Sequence, residues 1–276
     1  MRTLAGRRVL VTGALGTFGR LLCDRFTAEG ARVAGLDLKP GNVSGVRVQG
    51  FDLTDSQAAA DGVAEAVADL GGLDLLINNA GVGGPAPAEY APGAAARQQI
   101  EVNLIAAWNT TAAAIAALEA ARGRVIFVSS RMAVLPLPLA AAYGVSKRAL
   151  VAYADALRLE VGTHIGVTVV YPSMVASPIH DASARAGLSL DGVSRYEPAS
   201  GVIDAIVRSA TSARPLRDVA TTRRGRFEMA VARHFPAVAA AMVRKTIRTR
   251  IAAGDLDGAP LAAGMVRRHS AAPRRH

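Results

Sequence analysis

Short apolar runs rich in β-branched residues alternate along the chain with stretches whose apolar residues recur at helical spacing. The first pattern indicates a buried strand and the second an amphipathic helix. Strands are predicted at residues 7–12, 32–36, 46–50, 73–77, 125–128, 166–171 and near 219. Strands that alternate with helices predict a parallel, doubly wound sheet with right-handed crossovers. We therefore expect an α/β fold with one such domain over residues 1–222.

Two segments within this alternation are unusual. A long helix is predicted from about residue 94 to 121, and Asn103 lies inside it. An asparagine side chain competes for backbone hydrogen bonds, so its place in mid-helix calls for a local hydrogen bond or a function. Residues 173–198 are irregular, polar and contain glycine, which is the composition of a mobile lid over a cleft.

The last part of the chain, residues 223–276, follows a different pattern. Residues 223–251 combine eight Lys or Arg with apolar residues at helical spacing and are interrupted at Pro236, which predicts two short basic amphipathic helices. The tail from Arg267 is expected to be disordered. Two interpretations stay open: the apolar stripe packs on the domain, or the segment attaches to an anionic membrane surface. Nucleic-acid binding is not expected, because the segment lacks a reading motif and stacking aromatics.

Composition places the charge and narrows the class of protein. Of 276 residues, 51% are hydrophobic, which is enough for a sizeable core. Residues 1–213 carry 18 basic and 18 acidic side chains, whereas residues 214–276 carry 14 and 4, so the net charge of +10 belongs to the C-terminal extension.

Several classes of site and compartment are not expected. No apolar run is long enough to span a membrane, and the N-terminus enters a predicted strand without room for a signal peptide. The single cysteine, Cys23, excludes an internal disulfide framework, and the histidines lack metal-ligand spacing. We expect a cytoplasmic protein without a metal, with peripheral membrane contact as the alternative.

A glycine-rich loop directly follows the first predicted strand. It reads Gly13-Ala14-Leu15-Gly16-Thr17-Phe18-Gly19 and leads into a helical pattern. Glycines in this context let the backbone turn tightly and approach a pyrophosphate, whose charge is stabilised by the free N–H groups of the helix N-terminus. The sequence therefore predicts a Rossmann-like dinucleotide site.

The second predicted strand ends at Asp37, 18 residues beyond Gly19. A carboxylate there can accept hydrogen bonds from the adenosine ribose hydroxyls and would repel a 2′-phosphate. With the glycine loop before it, this interpretation is favoured over a turn residue that merely closes a strand. We therefore expect NAD, with NADP less favoured.

Polar or small residues follow four further strands. They are Asp52-Leu53, Asn78-Asn79-Ala80-Gly81, Ser129-Ser130 and Pro172. The carboxyl ends of parallel strands are where open α/β sheets bind ligands. Helix capping by Thr54 or Asp55 explains the first segment on its own, and an adenine contact from Asp52 is the other possibility.

Tyr143 and Lys147 lie four residues apart in a predicted helix that begins near residue 140. Positions i and i+4 share one helix face, and an ammonium group beside a phenol lowers the phenol pKa toward the range in which it exchanges protons at neutral pH. Alone, this spacing occurs on many solvated helix faces. It becomes an acid/base pair only in combination with the motifs before it.

Taken in this order, the motifs resemble the short-chain dehydrogenase/reductase family, in its short, single-domain branch, over roughly residues 5–222. Tyr143-Gly144-Val145-Ser146-Lys147 fits the family's Tyr-x-x-x-Lys motif, and Asn78-Asn79-Ala80-Gly81 fits its strand-ending signature. Ser130 lies 13 residues and Asn103 40 residues before Tyr143, as in family members.

The resemblance implies roles for these residues. Tyr143 would exchange a proton with the substrate oxygen, and Ser130 would hold that oxygen. Lys147 would bind the nicotinamide ribose and lower the tyrosine pKa, while Asn103 would bind a water that links Lys147 to solvent. The implied dinucleotide contacts are Gly13, Leu15, Gly16, Thr17, Phe18, Gly19, Asp37, Asp52, Leu53, Asn79, Ala80, Gly81, Tyr143, Lys147, Pro172, Val175 and Ser177.

The expected function is an NAD-dependent oxidoreductase that interconverts a secondary alcohol and a ketone on a lipophilic substrate of steroid-like, retinoid-like or alicyclic type. Residues 132–139 and the lid around Ile179 should line the substrate pocket. Arg131 and His180 could offer polar contacts to the substrate, although a solvent-facing position is favoured for each. The alternatives are a 3-oxoacyl-carrier-protein reductase, whose acidic carrier the basic extension would dock, and a non-catalytic dinucleotide-binding regulator. The family's habit of pairing through its long central helices implies a homodimer or homotetramer.

Overall fold

The fold is an eight-stranded sheet in a computed structural model that describes residues 3–188 and 196–270. The strands lie in the order β3-β4-β2-β1-β5-β6-β7-β8. They are β1 (Arg8–Thr12), β2 (Arg32–Asp37), β3 (Gly41–Val43), β4 (Val46–Gly50), β5 (Leu75–Asn78), β6 (Arg124–Val128), β7 (Gly166–Tyr171) and β8 (Asp218–Ala220). All neighbours except β3 and β4 pair in parallel, which confirms the predicted doubly wound α/β fold.

Helices cover both faces of the sheet. They are α1 (Thr17–Ala28), α2 (Ser56–Leu70), α3 (Ala94–Ile100), α4 (Ala106–Ala120), α5 (Ala141–Val161), α6 (Asp181–Arg185), α7 (Ala199–Thr211), α8 (Arg223–His234), α9 (Pro236–Ala252) and α10 (Ala263–Ser270). Successive residues of β1 face opposite cores: Leu10 packs with α2, α4 and α5, whereas Val9 and Val11 pack with α1 and α7. A strand buried on both faces has no polar alternation, which explains the continuous apolar runs.

The strand order reverses between β1 and β5. From β1 the chain builds one side of the sheet through β2 and β4, then returns to add β5 on the other side. The carboxyl ends of β1 and β5 therefore flank a crevice, which is the ligand-binding position in sheets of this kind.

Two sequence expectations need correction here. The short antiparallel edge strand β3 was not predicted, because three residues carry too little pattern. The predicted helix at 94–121 is interrupted by a π-helical turn, Glu101–Ile105, which contains Asn103. One-turn π insertions are frequent at functional sites.

The C-terminal extension packs back on the domain. The two predicted helices are α8 and α9, which meet at Phe235. Arg233 of α8 bonds to Asp218 at 3.3 Å, and the Arg268 side chain pairs with Glu89.

The expectation of a disordered tail is wrong for residues 267–270, which belong to α10, while 271–276 lie outside the described residues. Of the predicted lid, Pro178–His180 and α6 are helical, and 189–195 lie outside the described residues. Among the described helices, none is long and apolar enough to cross a membrane.

Candidate active site

The glycine loop brings its backbone close to neighbouring strands and to α1. Gly13 has φ +63°, and a Cβ atom there would lie 2.8 Å from the Cα of Ala80. A Cβ atom on Gly19 would lie 2.1 Å from the carbonyl oxygen of Gly13. Since no larger residue fits at either position, the loop depends on glycine to present its backbone to the crevice.

Thr12 anchors this loop, and the sequence analysis missed it. Its Oγ1 accepts hydrogen bonds from the backbone N–H groups of Asn79 (3.0 Å) and Ala80 (3.1 Å). In return Asn79 Nδ2 donates to the carbonyl oxygens of Thr12 (3.0 Å) and Gly13 (3.2 Å). The only available signal was a hydroxyl at the last position of an otherwise apolar strand.

Asp37 lies against the glycine loop. Its carboxylate accepts hydrogen bonds from the backbone N–H groups of Leu15 (2.9 Å) and Leu38 (2.8 Å). The Asp52 carboxylate accepts a hydrogen bond from Thr54 N at 3.0 Å. Asp55 is the N-cap of α2, because its carboxylate accepts from Ala58 N at 2.7 Å. Two carboxylates, Asp37 and Asp52, therefore stand at one end of the crevice.

One cavity of about 970 Å³ gathers almost all the residues expected to act. Of the expected catalytic and dinucleotide-binding residues, only Gly19 and Asn103 do not line it, and both lie directly behind residues that do. The lining members are Gly13, Leu15, Gly16, Thr17, Phe18, Asp37, Asp52, Leu53, Asn79, Ala80, Gly81, Ser130, Tyr143, Lys147, Pro172, Val175 and Ser177.

Ser130, Tyr143 and Lys147 form a polar cluster in this cavity. The Ser130 and Tyr143 hydroxyls are neighbours that interact, and Lys147 Nζ donates to the carbonyl oxygen of Val128 at 3.0 Å. Burial lowers the pKa of Lys147 to about 8. Burial also raises the pKa of Tyr143, and the Ser130 hydroxyl opposes that rise only in part. The expectation that Lys147 lowers the tyrosine pKa is not met in this structure, because the ammonium group bonds to Val128 and lies 5.9 Å from the ring centre.

Asn103 joins the loop after β5 to α5. Its Oδ1 accepts from Val82 N (2.8 Å), and its Nδ2 donates to Val82 O (2.9 Å) and Ser146 Oγ (2.9 Å). A Cβ atom on Gly81 would lie 3.1 Å from Asn103 Oδ1 and 3.2 Å from Lys147 Nζ. The side chain thus finds the local hydrogen bonds that its mid-helix position required, at a point that faces Lys147.

The side of the cavity beyond Tyr143 is mainly apolar. Met132, Leu137 and Ile179 line it, from the two segments that the sequence predicted. The solvent-facing positions expected for Arg131 and His180 are wrong. The Arg131 side chain is 13% exposed and pairs with Glu228, and His180 Nε2 lies 3.1 Å from the carbonyl oxygen of Val175, where burial lowers its pKa.

Glu197 is a second residue that the sequence analysis missed. Its buried carboxylate accepts from the backbone N–H of Ser173 (2.6 Å) and from Thr221 Oγ1 (2.7 Å). These bonds fix the segment after β7, which carries Val175 and Ser177 to the cavity. Within the described residues, no group of three His, Cys, Asp or Glu side chains could hold a metal ion.

Comparison with known proteins gives a matching family and a solved structure of the same fold. The family described as short chain dehydrogenase matches residues 7–186. The 3-ketodihydrosphingosine reductase of Bacteroides thetaiotaomicron is 34% identical over 59% of this chain, and the match spans 62% of that protein. The NADPH-dependent 3-dehydrocapnine reductase of Ornithobacterium rhinotracheale is 32% identical over 66% of this chain and 70% of its own length. A short chain dehydrogenase of Burkholderia cenocepacia J2315, solved in complex with NADP, has the same fold, with a TM-score of 0.75 and 24% identity over 87% of this chain and 98% of that one.

Proposed function

Because the chain belongs to the short-chain dehydrogenase/reductase family, we propose that it interconverts a secondary alcohol and a ketone on a lipophilic substrate, with a nicotinamide dinucleotide as co-substrate. The observation that carries the proposal is the cluster itself. Tyr143 and Ser130 are neighbours, with Lys147 buried beside them, in a cavity that the glycine loop also lines.

The chain's own residues fit a dinucleotide. Gly13 and Gly16 line the cavity without a side chain, and Gly19 lets the backbone of α1 approach Gly13. Helix α1 begins at Thr17, which also lines the cavity, so its N-terminal N–H groups are available to a pyrophosphate. Lys147 and Tyr143 would hold the nicotinamide end, and Ser177 its carboxamide. When bound, the dinucleotide supplies or accepts the hydride.

The remaining chemistry is proton exchange and charge stabilisation. The Ser130 and Tyr143 hydroxyls converge, so both can bond to one substrate oxygen and hold it. Tyr143 then gives its proton to that oxygen in reduction, or takes one in oxidation. Lys147, with a pKa of about 8, is mainly cationic at neutral pH, and its role in this proposal is to hold the nicotinamide ribose beside Tyr143. We propose that Asn103 holds a water that relays the proton past Lys147.

We propose that NAD is preferred over NADP. Asp37 and Asp52 place two carboxylates at the adenosine end, and a 2′-phosphate beside them would be repelled. Arg20 donates to the carbonyl oxygen of Leu15 at 2.9 Å, so one cation stands near the same loop. Activity should therefore be measured with both NAD and NADP.

Turnover of a substrate panel tests the function. Wild type and Tyr143→Phe are compared on secondary alcohols and ketones with NAD and NADP, while dinucleotide binding is measured separately. We expect turnover in the wild type and a loss of about 10²-fold or more in Tyr143→Phe. If neither protein turns over any substrate while a dinucleotide still binds, the regulator alternative is correct. A 3-oxoacyl thioester in the panel tests the acyl-carrier reductase alternative.

We also propose that α8 and α9 touch an anionic membrane surface. Phe227, Phe235, Val238 and Met242 are each more than half exposed, and the same two helices carry the excess of basic side chains. Exposed apolar residues beside cations suit the boundary between lipid head groups and acyl chains. Such contact would place the apolar side of the cavity near lipophilic substrates.

Pairing of two copies through the long helices is a further proposal. Val145 and Leu159 of α5 and Trp108 of α4 are 57%, 87% and 51% exposed. Large exposed apolar side chains on neighbouring helices are typical of an interface. Sedimentation velocity should give at least the dimer mass for the wild type and a smaller species for Leu159→Arg, and a monomeric wild type would contradict this proposal.

A further inference from the structure

A second cavity of about 180 Å³ lies between the catalytic domain and the C-terminal extension. Three walls enclose it, formed by the loop before α5, by α8 with α9, and by a small separate apolar cluster around Leu188 and Leu256. Its apolar lining is Leu135, Leu137, Pro138, Leu139, Ala140, Leu188, Phe227, Val231, Ala239, Met242, Val243, Ile247, Leu256 and Met265. A ligand in this cavity would therefore contact mainly apolar side chains.

The second cavity adjoins the candidate active site. Arg131 and Leu137 line both cavities, so the two spaces are neighbours at these side chains. Arg131 directly follows Ser130, which lines the first cavity together with Tyr143. A molecule whose reacting carbon lies at Tyr143 would reach the second cavity by passing Leu137.

The charged side chains that line the second cavity all bond to opposite charges. Arg131 and, at 2.7 Å, Arg224 share the carboxylate of Glu228, while Arg250 bonds to Asp255 at 3.2 Å. Because these charges are already bonded, the apolar side chains supply most of the surface that a ligand can contact.

The wall at Leu139 is held in an unfavourable backbone conformation. Leu139 has φ +64°, in the left-handed region that favours glycine. Two hydrogen bonds of 2.8 Å hold it there, from Ala86 N to Leu139 O and from Ala141 N to Ala86 O. The Leu139 side chain lines the cavity and packs against the cluster around Leu188 and Leu256, so this backbone conformation fixes the position of the wall.

We propose that the second cavity binds the unbranched alkyl chain of the substrate whose alcohol or ketone carbon lies at Tyr143. This inference rests on the proposed function and narrows its substrate class from lipophilic compounds in general to chain-bearing ones. The small volume beyond Leu137 suits a flexible chain better than a fused ring system. Burial of each methylene group should improve binding about fourfold, from about 0.8 kcal/mol per CH₂.

Methionine methyl groups report on each cavity without turnover. Met242 and Met265 line the second cavity, whereas Met132 and Met174 line the first. The probe is n-decyl methyl ether, which has neither a carbonyl nor a carbinol group. In a titration of the full chain labelled with ¹³C-methyl methionine, we expect shifts at Met242 and Met265. Shifts at Met132 and Met174 alone would overturn the proposal.

A variant that fills the cavity provides the control. Val243→Phe places a ring in the second cavity, whereas Ala241→Phe adds the same ring on the exposed face of α9. We expect Val243→Phe to weaken ether binding at least about tenfold, with unchanged Met132 and Met174 resonances as the test of folding, and Ala241→Phe to bind as the wild type does. Equal binding by both variants would contradict the assignment.

Chain-length kinetics separates this inference from the proposed function. Across unbranched 2-alkanols, kcat/KM should rise about fourfold per methylene until the cavity is full, and Val243→Phe should abolish the rise. Turnover without chain-length dependence would contradict the alkyl-chain site but not the proposed function. Ether binding at Met242 and Met265 without turnover of any alcohol would support the cavity assignment and contradict the proposed function.

Discussion

The catalytic domain and the C-terminal extension use polar and apolar residues in opposite ways. Around Tyr143 the polar side chains are buried and bonded: Asn103 and Lys147 are 1% and 3% exposed, with hydrogen bonds of 2.8–3.0 Å. On α8 and α9 it is the apolar residues that are uncovered, as at Phe227 and Phe235. Buried polar groups with fixed partners indicate chemistry, whereas uncovered apolar groups beside cations indicate contact with a ligand or a surface.

Removal of the Tyr143 hydroxyl should have the largest effect. We expect Tyr143→Phe to lower kcat/KM by about 10²–10⁴-fold, the usual contribution of a positioned acid or base. Tyr153→Phe is the matched control, because Tyr153 stands on the same helix and its ring packs between Trp108 and Phe127, away from the cavity. The readout is the absorbance of the reduced nicotinamide. Similar losses in both variants would mean that α5 is merely sensitive to tyrosine loss.

Lys147 should couple stability to pH. Its pKa is about 8 in the folded protein and near 10.5 when unperturbed, so below pH 8 both states are protonated and the folded state bears the full burial penalty. Between pH 8 and 10.5 only the unfolded state keeps the proton, and wild-type stability rises with pH. The free energy of unfolding of Lys147→Met, relative to wild type, should therefore fall by about 2–3 kcal/mol between pH 7 and 10.

Denaturant titrations at several pH values measure this difference. Lys39→Met serves as the control, since Lys39 is exposed and should show no such pH dependence. A flat difference for Lys147→Met would show that burial does not perturb the ammonium group.

The extension should respond to loss of its charge rather than to loss of any single bond. Arg244→Gln with Lys245→Gln should weaken binding to anionic vesicles by about 2 kcal/mol at low salt, or about 30-fold, at about 1 kcal/mol per cation. Lys39→Gln with Arg97→Gln removes the same charge from the catalytic domain and should have little effect. Co-sedimentation measures the binding. Equal binding by all three proteins, or equal binding to neutral vesicles, would rule out this contact.

Asp37 should change cofactor preference by about tenfold. In Asp37→Asn the amide oxygen can still accept from Leu15 N, whereas the bond from Leu38 N is lost because the amide nitrogen is a donor. The substitution therefore removes the charge and keeps the contact with the glycine loop. The ratio of kcat/KM with NAD to that with NADP should fall about tenfold, since a charge pair at 4 Å near a protein surface is worth up to about 4 kcal/mol. Asp61→Asn on the exposed side of α2 is the control. An unchanged ratio would assign Asp37 to the support of the loop alone.

Short-range sequence patterns were sufficient to predict the sheet and most of the candidate site. Each strand and its following loop lie next to one another in sequence, so the glycine loop, Asp37 and the Tyr143–Lys147 spacing could all be interpreted from neighbouring residues. The cavity then gathers them because parallel strands end at one edge of the sheet.

The features that could not be predicted depend on contacts between segments that are far apart in the sequence. Arg131 is covered because Glu228, 97 residues later, pairs with it, and α10 is held where Arg268 pairs with Glu89. The phenol pKa of Tyr143 depends on burial by the whole cavity rather than on the helix that carries Lys147. The sequence next to Arg131, Tyr143 or Arg268 contains no pattern that indicates these effects.

Deuterium transfer tests the proposed chemistry most directly. Purified wild type is incubated with a 2-alkanol deuterated at the carbinol carbon and with NAD or NADP, and the reduced dinucleotide is analysed by mass spectrometry. We predict that the reduced dinucleotide carries deuterium in the wild type and that Tyr143→Phe forms labelled product at least about 10²-fold more slowly. A dinucleotide that binds but gains no deuterium from any alcohol of the panel would contradict the assignment of this cavity as an alcohol dehydrogenase site.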